Sequence, residues 1–509
     1  MKDQRVSTIS VIFGILASAS IASVTKAEDF RQPNQSIEAQ FDLLAKGIKA
    51  SYVTREIGQD ADQMAFWPHG SERPTHLAVC IEERLECLSG NCAVPFQPGD
   101  KLQPAVQMID LRTEKVTTIV RGMTICDGIR TTPWGSLVAT EEDFSTDIGG
   151  LYEILDPLSG DEFTVLERGG AAKPATIIDQ NGMDANDRIR KWTPVPVIRW
   201  EGLYIDPTGV VIGGDEERPG SYRNGDTDGG AIFKFIPKVL RTETDEYIES
   251  LEDSPFAAGS SYALQVSCRD NRQQFGQGCE IGAGTWVPLT ETEGRIGREA
   301  ANDAGATGYY RPEDLHVDPI YHDENNPNAI RFCFAATGNQ AASNYGEVQC
   351  AVDQDVTAAG GPTGSVVINR FIEGNPELNQ PDNLAFQPKT GNLYIIEDNP
   401  NGDVWACLPD GDDKDIKSDG CVRLLTLADP STEPTGLIFT PNGRKAYFNI
   451  QHSDDGNMPL VDDFRTDDMV LLTGFKVRRV LRRGFDFGLE TEHYLNASSK
   501  SLFGFGKKY

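Results

Sequence analysis

The sequence predicts an all-β protein, a six-bladed β-propeller with insertions and a metal cluster at one mouth of its central channel. Three observations predict this fold. A hairpin-like unit recurs along the 509-residue chain, each clear copy turns on a proline, and most copies begin or end on acids. A single hairpin cannot hide its apolar face, so repeated units must stack. Copies tens of residues apart, rich in Gly and Pro, suit a propeller better than a solenoid.

The copies align on the turn proline. Asp127-Gly128-Ile129 leads to Pro133 and Gly135, then to Glu141-Glu142. Glu201-Gly202-Leu203 leads to Pro207 and Gly209, then to Asp215-Glu216-Glu217. Glu313-Asp314-Leu315 leads to Pro319, and Arg311 stands just ahead of it. Asp382-Asn383-Leu384 leads to Pro388 and Gly391, then to Glu397-Asp398. Thr435-Gly436-Leu437 leads to Pro441 and Gly443, then to Gln451-His452, with Glu433 just upstream. A weaker sixth copy is read at His76-Leu77-Ala78-Val79, ending at Glu82-Glu83. The two ends of a hairpin lie together, so a propeller would gather these acids around one channel mouth. Crowded carboxylates are costly unless neutralised, and multivalent cations are the natural remedy. For any one copy, solvated turn acids are the simpler reading; recurrence in one register favours a shared ring.

From the N-terminus, residues 1–27 read as a secretory signal peptide: Lys2 and Arg5, an apolar run from Ser10 to Val24, then Thr25-Lys26-Ala27. The mature protein is expected outside the cytoplasm, periplasmic or extracellular. Residues 28–57 read as an N-terminal arm with helical periodicity from Ile37 to Ile48. Residues 58–484 form the propeller, and residues 238–308 an insertion, read as a lid on the channel face with an ordinary excursion on the outside as the alternative, and with a helix near Arg298 to Ala304. Residues 485–509 close the propeller or trail as a tail. Asp410 to Asp419 lacks the full EF-hand pattern and reads as a surface loop. The arginines of 478–483 read as part of a solvated last strand.

Lys and Arg number 47 against 77 Asp and Glu, a formal charge of −30. That argues against nucleic acid and anionic membrane surfaces as partners. The partner expected is a small molecule, with the protein a monomer. Ten cysteines fit an oxidising compartment. Spacing suggests Cys268 with Cys279, Cys333 with Cys350, Cys407 with Cys421, and Cys87 with Cys92 or Cys80. Cys126 has no nearby partner; it is a buried thiol, a partner for the odd N-terminal cysteine, or a thiolate metal ligand. The six histidines show no zinc spacing, and there is no nucleophile elbow or Walker loop.

At these residues the chain resembles the PhoX-type alkaline phosphatases, secreted bacterial phosphomonoesterases. The resemblance is carried by Gly305-Ala306-Thr307 with Arg311-Pro312-Glu313-Asp314, and by Cys126 with Thr132-Pro133-Trp134-Gly135 and Glu141-Glu142. Gly214-Asp215-Glu216-Glu217-Arg218, Gln380-Pro381-Asp382-Asn383-Leu384 and Phe439 through His452 continue it. It implies two oxo-bridged ferric ions and calcium ions at the mouth. By the same match Cys126 and Glu313 would ligate Fe3+. Glu142 (or Glu141), Glu217 (or Glu216), Glu397 and Asp398 would bridge or bind the cluster with Ca2+, and Arg311 would contact phosphate oxygens. The implied reaction is hydrolysis of phosphate monoesters, with some diesters. The chain departs from the family at Ile81-Glu82-Glu83, where Asn-His-Glu is usual, and lacks twin arginines in its export signal. Two rival readings are a calcium-dependent lactonase-like hydrolase and a non-catalytic, calcium-stabilised binding propeller.

Overall fold

The computed structural model describes residues 36–477, apart from 144–148, 171–172, 220–228, 243, 267–280, 291–296, 400–401, 410–419, 454–457 and 459. The signal segment, the Cys268 and Cys279 pair, the 410–419 loop, the arginines of 478–483 and the C-terminal segment lie outside the described residues.

Among the described residues the strands form six antiparallel blades. Their innermost strands are Ala61–Trp67, Cys126–Thr131, Trp200–Ile205, Pro312–Val317, Pro381–Phe386 and Glu433–Phe439. Each inner strand packs against the next, and Glu433–Phe439 returns to Ala61–Trp67, so the circle closes. Radial packing leaves only short, protected edges, with the inner strands lining the channel. The apolar core divides accordingly into six clusters, one at each junction between blades. Ala65, Ile129 and Tyr152 fill the first, and Trp134, Trp200 and Phe233 the second. Leu437, Phe448 and Tyr394 fill the fifth. Burying such a side chain stabilises by roughly 1.5–3 kcal/mol, so each blade is held mainly by its two neighbours.

The first copy of the repeat starts earlier than its sequence reading. His76–Ile81 is the second strand of blade 1, paired to the inner strand Ala61–Trp67. Its opening is therefore Asp62-Gln63-Met64, followed by Pro68 and Gly70 in the same register as Pro133 and Gly135. The residues from Ser71 to Pro74 lengthen its turn and hide the match.

The arm is also different from expectation. Only Ile37–Gln40 is helical, as a single 3-10 turn. Phe41–Leu44 adds an edge strand to blade 5, and Lys49–Gly58 runs antiparallel to Thr466–Thr473 as the outer strand of blade 6. Blade 6 would otherwise expose the unpaired edge of Thr466–Thr473, and satisfying that edge outweighs a weak local periodicity. The insertion is likewise no lid among its described residues. Gly259–Val266 and Gly282–Pro288 extend blade 3 outward, and the latter joins Val366–Glu373 of blade 4. The helix expected near Arg298 is present at Gly297–Ala304.

Candidate metal and phosphate site

The site begins with a backbone device repeated in every blade. In blades 1, 3, 4 and 5 the inner strand carries one extra residue against its partner at the dipeptide that opens the copy: Asp62-Gln63, Glu201-Gly202, Glu313-Asp314 and Asp382-Asn383. Blade 2 has the same step at Asp127-Gly128, and blade 6 between Thr435 and Ile438. Such a bulge breaks the alternation of a strand and re-aims a side chain. Two residues before the bulge acid, Asp60, Ile125, Arg311 and Gln380 are left-handed, with φ of 58°, 49°, 56° and 49°. That conformation is unusual for residues with a Cβ. Close approach explains the glycines: a Cβ on Gly128 would lie 2.2 Å from the Glu201 carbonyl, and one on Gly202 2.1 Å from the Leu315 amide.

Together these devices turn acids into a cavity of about 260 Å³. Asp62, Asp127, Glu201, Glu313 and Asp382 come from the inner strands of blades 1 to 5, and Glu433 from blade 6. Glu82, Glu142 and Asp398 arrive from the far ends of second strands. Three groups of carboxylates have oxygens within 4.8 Å of one another: Asp62, Glu82 and Asp127; Asp127, Glu142 and Glu201; Glu201, Glu313 and Asp382. Asp127 and Glu201 each belong to two groups, so the three form a chain.

This crowding pushes the carboxyls up. Burial comes first for all of them, reinforced by neighbouring carboxylates. Asp62 rises to about 7 and Glu313 to about 8. Asp127, Glu142, Glu201 and Asp382 rise well above the ordinary range. Among the described residues, Asp62 Oδ1 and Asp127 Oδ1 are buried with no hydrogen-bond partner. Buried oxygens without a donor, in a cluster of like charge, are the features a cation would satisfy.

Cations of the chain itself stand to one side. Arg311 lines the cavity; its Nη2 lies 2.9 Å from Glu313 Oε1 and its Nη1 3.4 Å from Asp398 Oδ2, and its Nε donates to Glu216. Its backbone is pinned on both sides, its amide donating to the Glu217 carbonyl and its carbonyl accepting from Thr337. Behind it, Arg199 contacts Glu142 at 3.4 Å and Glu216 at 3.1 Å. Although burial opposes it, Arg311 and Arg199 hold Glu216 down at about 2.

Of the residues singled out in the sequence, Arg311, Glu142, Glu313 and Asp398 line the cavity. Glu216 adjoins it as the carboxylate that holds Arg311. The other acids have protein partners elsewhere. Glu217 pairs with Arg298 at 2.8 Å. Glu141 accepts from the Thr124 amide at 3.1 Å and from the Tyr152 hydroxyl at 3.3 Å. Glu397 accepts from the Asn379 amide and Trp405 Nε1. Strand alternation explains this, since of two adjacent acids at a strand end only one faces the channel.

Of the three readings of Cys126, pairing with the odd N-terminal cysteine is the one found, and the metal-ligand reading is corrected. It is disulfide-bonded to Cys80, so it has no thiolate to offer a metal. It lies in the apolar layer between blades 1 and 2, while Asp127, the next residue, faces the channel. Cys87–Cys92, Cys333–Cys350 and Cys407–Cys421 are also bonded. The sequence reading placed Glu82, Asp127, Glu201, Asp382 and Glu433 among the acids gathered at the channel mouth but assigned none of them as a ligand, and it missed Asp62. The signal was present, because an acid opens most copies; the weight was placed on the acids that close them.

A closed propeller whose cavity is lined by a chain of buried carboxylates and an arginine is of the class that could hold cations at its channel mouth. Residues 104–454 match the PhoX alkaline phosphatase family. The chain belongs to that family of phosphatases. No curated protein matches it. Among solved structures it is similar to Pseudomonas fluorescens PhoX in complex with vanadate, a transition state analogue, at 15% identity and a TM-score of 0.53, covering 86% of this chain and 96% of that one. A luciferin-regenerating enzyme follows at 10% identity and a TM-score of 0.38, covering 85% and 97%. An aldose sugar dehydrogenase from Streptomyces coelicolor gives 10% and 0.35, covering 84% and 100%. At these identities the likeness is one of fold, and the last two carry no argument.

Proposed function

We propose that this protein is a secreted, metal-dependent phosphatase that hydrolyses phosphate monoesters, with diesters as a second substrate class. The observation that carries the reading is the chain of three carboxylate groups, linked through Asp127 and Glu201, beside Arg311. Oxygen donors suit Ca2+, and the hard ion Fe3+ can take the same carboxylates, Glu313 among them. With Cys126 bonded to Cys80, the donor set has no thiolate. Bound cations would neutralise the phosphoryl oxygens and acidify an attacking water.

The chain's own residues supply the rest. Arg311 presents a planar fork of donors, suited to two phosphate oxygens. Glu216 and Glu313 fix its orientation, and the left-handed backbone fixes its position. Arg199 and Arg298 neutralise the acids behind it, so Arg311 is not drawn away from the cavity. Export is supported by the basic and apolar N-terminus and by the disulfides. No helix among the described residues is long and apolar enough to cross a membrane.

The test combines elemental analysis of purified protein with turnover of an aryl phosphate monoester and the matching diester. Calcium in the protein with monoester turnover supports the reading; iron content decides whether Fe3+ joins it. A folded, calcium-loaded protein that turns over neither ester would overturn it.

A further inference from the structure

His452 lies outside the carboxylate chain, yet it lines the same cavity. Its Nδ1 is 3.2 Å from Asp60 Oδ1, and 41% of its side chain remains exposed. Both residues are left-handed, with φ of 57° and 58°. One buried carboxylate imposes that geometry on both: Asp467 Oδ2 accepts the Asp60 amide at 2.7 Å and the His452 amide at 3.3 Å. Asp467 Oδ1 also accepts the Ser453 amide at 3.1 Å. Two strained residues tied to one anchor make a built feature rather than a loose rim, since such conformations persist only where the surroundings enforce them. Gln451, next in the chain, reaches Asp62 and Glu82, so the pair is fixed to the blade 1 side of the mouth. Arg311 opens blade 4, three blades around the circle from Asp60 and two from the blade 6 strand that leads into His452, so it lies on another side of the mouth. Glu82, Glu83 and Arg465 are further charged groups near Asp60, and Glu83 lies 2.7 Å from Arg465.

Resting on the phosphatase reading, we propose that His452 is the general acid that protonates the leaving alcohol, oriented by Asp60. Asp60 accepts the Nδ1 proton, which leaves Nε2 of the imidazolium free to donate. Water attacks phosphorus and a new P–O bond forms as the ester P–O bond breaks. The electron pair of that bond goes to the alcohol oxygen, which takes the Nε2 proton. The proton lost by the attacking water passes to solvent, and solvent restores the one on His452. A phosphoryl group held at Arg311 would have its ester oxygen in the same cavity that His452 lines.

A general acid matters most when the leaving group is poor. The test therefore compares an alkyl phosphate with nitrophenyl phosphate, measured in the same calcium-loaded preparations of wild type, His452→Gln and Asp60→Asn. The ratio of the two rates does not depend on the fraction of folded enzyme. In His452→Gln, alkyl ester turnover should fall by about 10²-fold, with a much smaller loss on the nitrophenyl ester. Asp60→Asn should shift the ratio in the same direction. An unchanged ratio in both variants, with wild type active, overturns the role of His452 and leaves the phosphatase reading intact. Wild type inactive on both esters overturns the two together.

Discussion

Arg311 Nη2 lies 2.9 Å from Oε1 of Glu313, and that same oxygen accepts the Thr337 hydroxyl at 2.6 Å. The one guanidinium among the cavity's described lining is thus fixed by a buried acid that also belongs to the carboxylate chain. Positioning and charge neutralisation share a residue.

Arg311→Ala should lower kcat/KM by about 10²–10³-fold, the cost of losing one oriented donor to a developing charge. Arg311→Lys should recover only part, because an ammonium lacks the planar fork. Steady-state kinetics on an aryl phosphate checks both. Calcium content should be retained in each, since arginine is not a cation ligand.

Asp127 and Glu201 each serve two of the three carboxylate groups, whereas Glu82 and Asp382 serve one. Asp127→Asn or Glu201→Gln should weaken calcium binding by at least about 10-fold, since even groups that only support a ligand cost that much. Glu82→Gln and Asp382→Asn should cost less and remove fewer ions. Titration calorimetry with elemental analysis separates the two classes; equal losses at all four positions would contradict the linked arrangement.

The raised carboxyls make a prediction about pH with a definite sign. Asp62 and Glu313 bind protons more tightly in the folded chain, at about 7 and about 8, than in the unfolded chain, where such groups titrate near about 4. Their contribution to stability is complete below the unfolded value and is lost as pH rises through the folded values. The metal-free protein should therefore melt at progressively lower temperature from about pH 5 to about pH 8. Calcium should abolish most of that fall, because it takes the charged form of the same groups. Thermal melts with and without calcium across this range check it.

The Cys80–Cys126 bond closes a 46-residue separation between blades 1 and 2. Replacing both cysteines by Ser should cost about 2–4 kcal/mol of stability while leaving calcium content and turnover in the folded fraction. Denaturant melts and kinetics below the transition check this. Loss of turnover with the fold and calcium intact would mean that Cys126 acts in the chemistry.

The fold was legible because its repeat is local: a proline, a glycine and alternating apolar residues can be aligned by eye. The first copy was displaced because the turn after Pro68 is longer, which moved attention from Asp62 to His76. The arm misled because a strand that completes another blade obeys a pairing partner more than 400 residues away, as Tyr52 does Val470. At the site, acids and arginine were legible as types. Which acid of each pair faces the channel depends on strand alternation at the ends of the second strands and, at Glu313-Asp314, on a bulge, and both are set by strand register rather than by any residue's identity. The ligand reading of Cys126 failed for a related reason: its partner, Cys80, adjoins it only once two blades pack together.

The most direct measurement is turnover of an aryl phosphate by the wild-type protein before calcium chelation, after it, and after calcium is restored. The account predicts turnover that disappears on chelation and returns with calcium while the protein stays folded. Turnover that persists in protein shown to be free of metal would contradict it.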